Sequence, residues 1–334
     1  MAAASNGVPL ANVLVVGGAG YIGSHTCLDL ADNGFVPVVY DNLEHGHEGF
    51  VRWGPLEVGD IHDTDRLTAV LRRHEPVAIV HFAALIEVGE SVREPFAFYR
   101  NNVAGTLSLL AAAAEAGVDK LVFSSTCATY GEPDAVPMVE THRQAPINPY
   151  GRSKHMVEQV LTDLDASAGF RSVILRYFNA AGADPQGRIG ERHDPETHAI
   201  PLAIEAALGR RASFKVFGSD YPTRDGTCVR DFVHVMDLAD AHTRAVRYLL
   251  DGGTSTALNL GTGVGTTVKE ILSAIEAKSG RPLPVRYEGR RAGDAPALVA
   301  DNRLARTVLG WSPRHDLQSI VDTAWNWHSQ TNMR

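Results

Sequence analysis

The chain has 334 residues, 44% of them apolar, and a formal net charge of -8. That length accommodates one large α/β domain or two smaller ones, and the composition excludes a disordered or membrane-embedded chain. The acidic balance argues against a nucleic-acid partner, which needs a basic surface, and leaves room for a small phosphorylated ligand held by a few local cations.

Met1–Val8 has no positive charge followed by a long apolar run, so no secretory leader is expected. The first element is Asn12–Val16, an apolar run read as a buried strand, which breaks into Gly17, Gly18, Gly20 and Gly23 at a tight turn and helix start. Val36–Tyr40 is a second strand, ending at Asp41, and Leu56–Val58 a third, ending before Gly59 and Asp60. Val77–His81 and Leu121–Ser124 continue the series, with helices expected over Thr64–His74 and Phe96–Gly117. Strands alternating with helices predict parallel βαβ units and a doubly wound sheet. After about Leu175 the Pro- and Gly-rich stretches Ala183–Gly190 and Gly218–Gly226 interrupt the alternation, predicting a smaller second region on the carboxyl edge of the sheet. Phe232–Leu250, a strand and then a helix, is expected to return to the first domain. The boundaries are 1–176, with 232–260 returning, and 177–334. No run reaches the length of about 20 apolar residues that spans a bilayer. Cys27, Cys127 and Cys228 are few, odd in number and far apart, which suits a reduced cytoplasmic protein; they show no metal-ligand spacing, and no metal is expected.

Gly17, Gly20 and Gly23 form G-x-x-G-x-x-G between a strand and a helix. Glycine permits the turn and lets backbone approach a pyrophosphate, and the helix amino terminus offers free N–H groups. Asp41, about 20 residues on, is placed to bind a ribose 2′-OH and to repel a 2′-phosphate, which favours NAD over NADP. Asp60 is a candidate for the adenine amino group. Further along, Tyr150 and Lys154 stand four residues apart, on one face of a helix that Pro149 opens. A free phenol has a pKa of about 10. A neighbouring ammonium and a positive nicotinamide would lower it, so that Tyr150 could move a hydroxyl proton while a hydride moves to or from the cofactor. Ser124, Ser125 and Thr126 end an upstream strand, where open α/β sheets bind ligands. Thr126 is the expected partner of the substrate oxygen, with Ser125 as the alternative.

These features, with Asp41-Asn42-Leu43, Gly59-Asp60-Ile61, His81-Phe82-Ala83-Ala84, Val88–Val92 (VGESV), Asn101–Thr106 (NNVAGT), Phe123–Gly131 (FSSTCATYG), Pro149–Lys154 (PYGRSK), Arg176–Asn179 (RYFN), Val229–Asp237 (VRDFVHVMD) and Arg290–Asp294 (RRAGD), resemble the extended short-chain dehydrogenase/reductase family, and within it the nucleotide-sugar 4-epimerases. The resemblance runs over nearly the whole chain. It implies a Rossmann-type α/β fold with a smaller C-terminal region for a UDP-sugar, a homodimer formed through Phe96–Gly117 and Pro149–Ala168, and reversible interconversion of UDP-glucose and UDP-galactose through a 4-keto sugar on a retained NAD. It assigns Tyr21, Ile22, Asn42, Ile61, Phe82, Ala83, Ala84, Asn101, Ser124 and Tyr177 to the cofactor, beside the glycines, Asp41, Asp60, Tyr150 and Lys154. Thr126 and Tyr150 would meet the sugar. Asn179, His198, Arg230, Arg291 and Asp294 would hold the UDP, and Phe217 or Phe232 would line that site or pack in the core.

Three departures stand out. Ile86 replaces a lysine common in the family, His198 replaces an asparagine, and Leu298 fills a position whose bulk governs N-acetylated sugars, predicting poor use of UDP-N-acetyl sugars. A UDP-xylose/UDP-arabinose 4-epimerase would use the same machinery. A nucleotide-sugar dehydratase is disfavoured, because Cys127 and Ala128, and no carboxylates, follow Thr126. A redox-sensing binding module would have no use for Tyr150, Lys154 and a hydroxyl in register.

Overall fold

The computed structural model describes residues 11–291 and 294–330. The Met1–Val8 reading, and Ala292 and Gly293 of the RRAGD segment, lie outside the described residues.

Seven parallel strands form the central sheet, in the order β3-β2-β1-β4-β5-β6-β11. They are β1 (Ala11–Val16), β2 (Phe35–Asp41), β3 (Leu56–Val58), β4 (Ala78–His81), β5 (Lys120–Thr126), β6 (Arg171–Tyr177) and β11 (Thr256–Leu260). Alternation along β1 explains the packing. Val13 and Val15 face α1 (Tyr21–Asp32) and α8 (Val235–Leu250), meeting Cys27, Leu30, Leu238 and Ala241. Leu14 and Val16 face α2 (Thr64–His74), α5 (Thr106–Ala116) and α6 (Pro149–Ala168), meeting Leu67, Leu71, Leu109 and Leu161. Both faces of the sheet are covered, so the strands are apolar throughout rather than alternating with polar residues. This is the expected Rossmann-type doubly wound fold. The chain reverses its direction of winding between β1 and β4, and ligand crevices form beyond the carboxyl ends of strands at such a point.

Two elements differ from expectation. Phe96–Gly117 is not one α-helix: after α3 (Val88–Arg93), α4 (Pro95–Phe98) runs into a π-helical stretch over Tyr99–Gly105 before α5 begins. There the side chain of Asn102 turns inward to bond with Leu85 and Ser153. β5 runs two residues past Ser124, so Thr126 is its last residue.

The remaining elements pack at the carboxyl edge. β7 (Asn179–Ala181) pairs with β10 (Phe232–His234). β8 (Phe214–Phe217) pairs with β13 (Val285–Glu288), and β9 (Val229–Arg230) lies between β12 (Thr266–Thr267) and β14 (Ala297–Leu298). Helices α7 (Ala199–Ala207), α9 (Val268–Ser279) and α11 (Leu317–Gln330) share a core of Ile200, Ile204, Ile271, Ile275 and Ile320. Thr267 and Glu270 close a reciprocal capping box at the start of α9, satisfying two backbone donors. Helix α10 (Arg303–Leu309) lies against β11 and α8. Among the described residues, no helix is long and apolar enough to cross a membrane.

Candidate active site

Gly17 follows β1 with φ +82°, and a Cβ there would stand 2.5 Å from the Ala83 nitrogen. A Cβ on Gly23 would collide with the Gly17 carbonyl oxygen. Both positions therefore require glycine. The loop closes against the strand-end segment Phe82-Ala83-Ala84, where Phe82 and Ala83 each donate an N–H to the Val16 carbonyl, at 2.7 and 3.1 Å. Gly20 caps α1 with no side-chain hydrogen bond, and no acid stands in the first turn. The N–H groups of Tyr21, Ile22 and Gly23 thus begin the helix without a competing anion, an arrangement that fits a dinucleotide pyrophosphate.

The acids that follow are already engaged. Asp41 is buried, and its two oxygens accept from the Ala19 and Leu43 N–H groups at 3.0 and 2.9 Å. Burial raises its pKa, and those two bonds oppose the rise. Asp60 is exposed and bonds the His62 N–H and ring, which hold its carboxyl below the ordinary value. Asn42 bridges towards Asp60 at 3.4 Å, Ile61 is buried beneath Gly105, and Asn101 donates to Asn102. Asp41→Ala is expected to narrow the preference for NAD over NADP by about tenfold, the size of one charge-assisted contact. The measured quantity is the affinity ratio for the two dinucleotides. An unchanged ratio would remove the selectivity role, whatever stability the substitution costs.

Helix α6 opens at Pro149, and Asn148 caps it by accepting from the Gly151 N–H at 2.8 Å. This sets Tyr150 and Lys154 one turn apart and directs both to the carboxyl end of β5. Lys154 is buried and donates to the Ser124 carbonyl at 2.8 Å, with its ammonium 4.9 Å from the Phe123 ring centre. The Ser124 hydroxyl bonds the Tyr177 phenol. The Thr126 hydroxyl lies beside the Tyr150 phenol and favours its ionised form, and it also caps the turn at Cys127–Thr129 by accepting from the Ala128 N–H at 3.1 Å. Ser125 points to the opposite face of the strand, where it bonds Glu158. Of the two candidate hydroxyls, the geometry brings Thr126, and not Ser125, to the phenol.

Burial governs the electrostatics of the pair in the protein by itself. Burial, followed by Tyr177, pushes the Tyr150 phenol above its ordinary value, and the Thr126 hydroxyl offsets only part of this. Burial likewise pushes the Lys154 ammonium down to about 7, against the pull of Glu158.

At the outer rim, Arg230 donates to the Val229 and Ala295 carbonyls, both at 2.9 Å, and lies 3.4 Å from Asp294. The Arg291 guanidinium sits 3.7 Å from the Phe217 ring centre, while Phe232 packs in the second core. Leu298 is in register with Arg230, and Asn179 donates its N–H to the Asp231 carbonyl at 3.0 Å. Ile86 is exposed. His198 is 39% exposed and bonds Glu196 at 3.0 Å.

Sequence reading overlooked three buried polar groups that hold these parts together. Asn102 ties the strand-end loop to Ser153, the neighbour of Lys154. The Asp231 carboxylate accepts from Thr262, Gly263 and Ala300. Glu158 pairs with Arg176 at 2.6 Å. All three lie in or next to segments singled out above, but no spacing rule marks their partners.

Residues 13–261 match the NAD dependent epimerase/dehydratase family. A UDP-glucose 4-epimerase of Rhizobium leguminosarum bv. trifolii is 69% identical over 320 residues, covering 96% of this chain and 98% of its own. The crystal structure of a UDP-glucose 4-epimerase from Brucella ovis in complex with NAD superposes with a TM-score of 0.94 at 52% identity, over 95% of this chain and 98% of that one. A UDP-glucose 4-epimerase from Bifidobacterium longum in complex with NAD+ and UDP gives 0.91 at 35% identity, over 96% and 98%. On both the matched span and these relatives, the chain belongs to the NAD dependent epimerase/dehydratase family.

Proposed function

We propose that this chain is a UDP-glucose 4-epimerase, interconverting UDP-glucose and UDP-galactose on a retained NAD. One juxtaposition carries the reading: the Tyr150 phenol beside Thr126, with Lys154 one turn away, at the ligand-binding edge of the sheet. The glycine loop, Asp41, Asn42, Asp60, Ile61, Phe82, Ala83, Ala84, Asn101, Ser124, Lys154 and Tyr177 hold the dinucleotide. A dinucleotide held there would supply a hydride acceptor and donor for sugar C4 and a positively charged ring beside Tyr150. Tyr150 accepts the 4′-OH proton on oxidation and gives one back on reduction. Thr126 orients that hydroxyl. Asn179, His198, Phe217, Arg230, Arg291 and Asp294 hold the UDP, the arginine forks matching diphosphate oxygens.

Residues 1–176 with 232–260 form the cofactor half, and 177–334 form most of the UDP-sugar half. A second copy of the chain covers Phe96–Gly117 and Pro149–Ala168, where Phe96 is 77% exposed and Leu107 and Met156 are exposed as well. The three unpaired cysteines suit a reducing cytoplasm.

Parallel incubations with UDP-galactose, UDP-xylose and UDP-N-acetylgalactosamine, resolved by chromatography, test the reading. UDP-galactose is expected to give UDP-glucose, with kcat/KM at least about tenfold above the N-acetylated sugar because of Leu298. No conversion of UDP-galactose would refute the reading. Equal use of the N-acetylated sugar would refute the role of Leu298.

A further inference from the structure

Glu191, His193, Glu196 and His198 gather ahead of α7, with one ligand-capable atom from each within 4.8 Å of all the others. The separations have a definite scale. His198 Nδ1 lies 3.1 Å from Glu191 Oε1 and 3.0 Å from Glu196 Oε1. His193 Nδ1 lies 3.5 Å from Glu191 Oε1 and 3.7 Å from Glu196 Oε2. Four atoms bound tetrahedrally at about 2.0–2.1 Å from a central ion are about 3.3–3.4 Å apart. The two distances to Glu191 Oε1, 3.1 and 3.5 Å, and the 3.7 Å from His193 Nδ1 to Glu196 Oε2 lie around that value.

A second observation points the same way. The Glu196 side chain is 5% exposed and that of Glu191 is 3%. Glu196 Oε1 accepts from the Thr197 and His198 N–H groups at 2.7 and 2.8 Å, which fixes the carboxylate. Its other oxygen, Oε2, is buried without a hydrogen-bond partner, and so is His193 Nδ1. A buried carboxylate oxygen and a buried imidazole nitrogen that face each other at 3.7 Å, too far for a hydrogen bond, retain a desolvation penalty that an ion between them would relieve. The backbone is anchored as well, since the Trp327 indole donates to the Glu191 carbonyl at 2.8 Å. His198, at 39% exposed, leaves the cluster open on one side.

We propose that these four residues form a binding site for a divalent transition metal of the zinc class. Two imidazoles and two carboxylates are the donor set that Zn2+ takes, whereas Ca2+ and Mg2+ call for six or more oxygens. Sequence reading expected no metal because it looked for cysteine spacing. The E-R-H-D-P-E-T-H run supplies the ligands instead. The Tyr21 ring stands edge-on to the His193 ring at 6.2 Å, and the Tyr21 hydroxyl donates to the Gly182 carbonyl at 2.6 Å. The metal would therefore fasten the 191–198 segment beside the first residue of the cofactor helix.

The test uses untagged, full-length protein treated with EDTA and dialysed, then titrated with Zn2+ by calorimetry and with Co2+ by visible absorption. One equivalent of Zn2+ per chain is expected, with the intense visible bands of tetrahedral Co2+ and no thiolate charge-transfer band. Glu196→Gln or His193→Gln, whichever retains the wild-type circular dichroism, is expected to weaken Zn2+ binding at least about tenfold. The proposal is overturned if the wild type binds no Zn2+ saturably, if Co2+ gives only weak octahedral or cysteine-bound spectra, or if a folded variant binds as the wild type does.

Discussion

Tyr150→Phe is expected to lower kcat by about 10²–10⁴-fold, the range over which a positioned acid–base group acts. The substitution removes one oxygen and keeps the ring, so packing at the start of α6 is kept and the stability cost is expected to stay within about 1 kcal/mol. UDP affinity by calorimetry is expected to stay close to wild type, because the residues assigned to the nucleotide lie beyond α6. A variant that turns over within threefold of wild type would remove Tyr150 from the chemistry. Burial raises the pKa of the phenol, the positive nicotinamide of the loaded site would oppose that rise, and phenylalanine has no proton to move.

Glu158→Ala is expected to destabilise the fold by about 3–5 kcal/mol, the consequence of leaving a buried charge unpaired. Arg176 is 5% exposed and Glu158 is 3% exposed. Burial disfavours the guanidinium charge, but the Glu158 carboxylate more than offsets this and holds Arg176 charged. The same carboxylate receives Ser125, and Gln144 at 2.6 Å, so its removal strands three donors. Against a total stability of about 5–15 kcal/mol this is a large fraction. Thermal unfolding is expected to show a melting temperature lower by on the order of 10 °C. Combining Glu158→Leu with Arg176→Met should recover part of the loss, since that pair leaves no charge behind. A shift under about 2 °C for Glu158→Ala would mean that the network contributes little.

The two arrangements differ in how visible they are before folding. Gly17, Gly20 and Gly23 announce a turn because only glycine tolerates those approaches, and the apolar runs around them announce buried strands. Tyr150 and Lys154 can be read as neighbours because helix geometry alone brings residues four apart onto one face. The choice of Thr126 over Ser125 is settled only in the structure, where β5 runs on to Thr126 and its alternation sends Ser125 to Glu158. The Glu158–Arg176 pair joins a helix to a strand, and nothing local to either residue marks the other. The π-helical stretch at Tyr99–Gly105 has ordinary helical composition, so its shifted ladder leaves no trace in the residue pattern. Strands β9 and β12 have two residues each, too short for any periodicity to register. The charges around Tyr150 are legible in the sequence, whereas the burial that raises its pKa appears only in the packed structure.

The most direct test of the central claim follows one atom. With UDP-galactose carrying deuterium at C4, the hydrogen removed on oxidation is held on the protein-bound dinucleotide and returned to the same carbon. The UDP-glucose formed is expected to retain the deuterium at C4, with none in the solvent. Deuterium appearing in water, with protium at C4 of the product, would contradict the account.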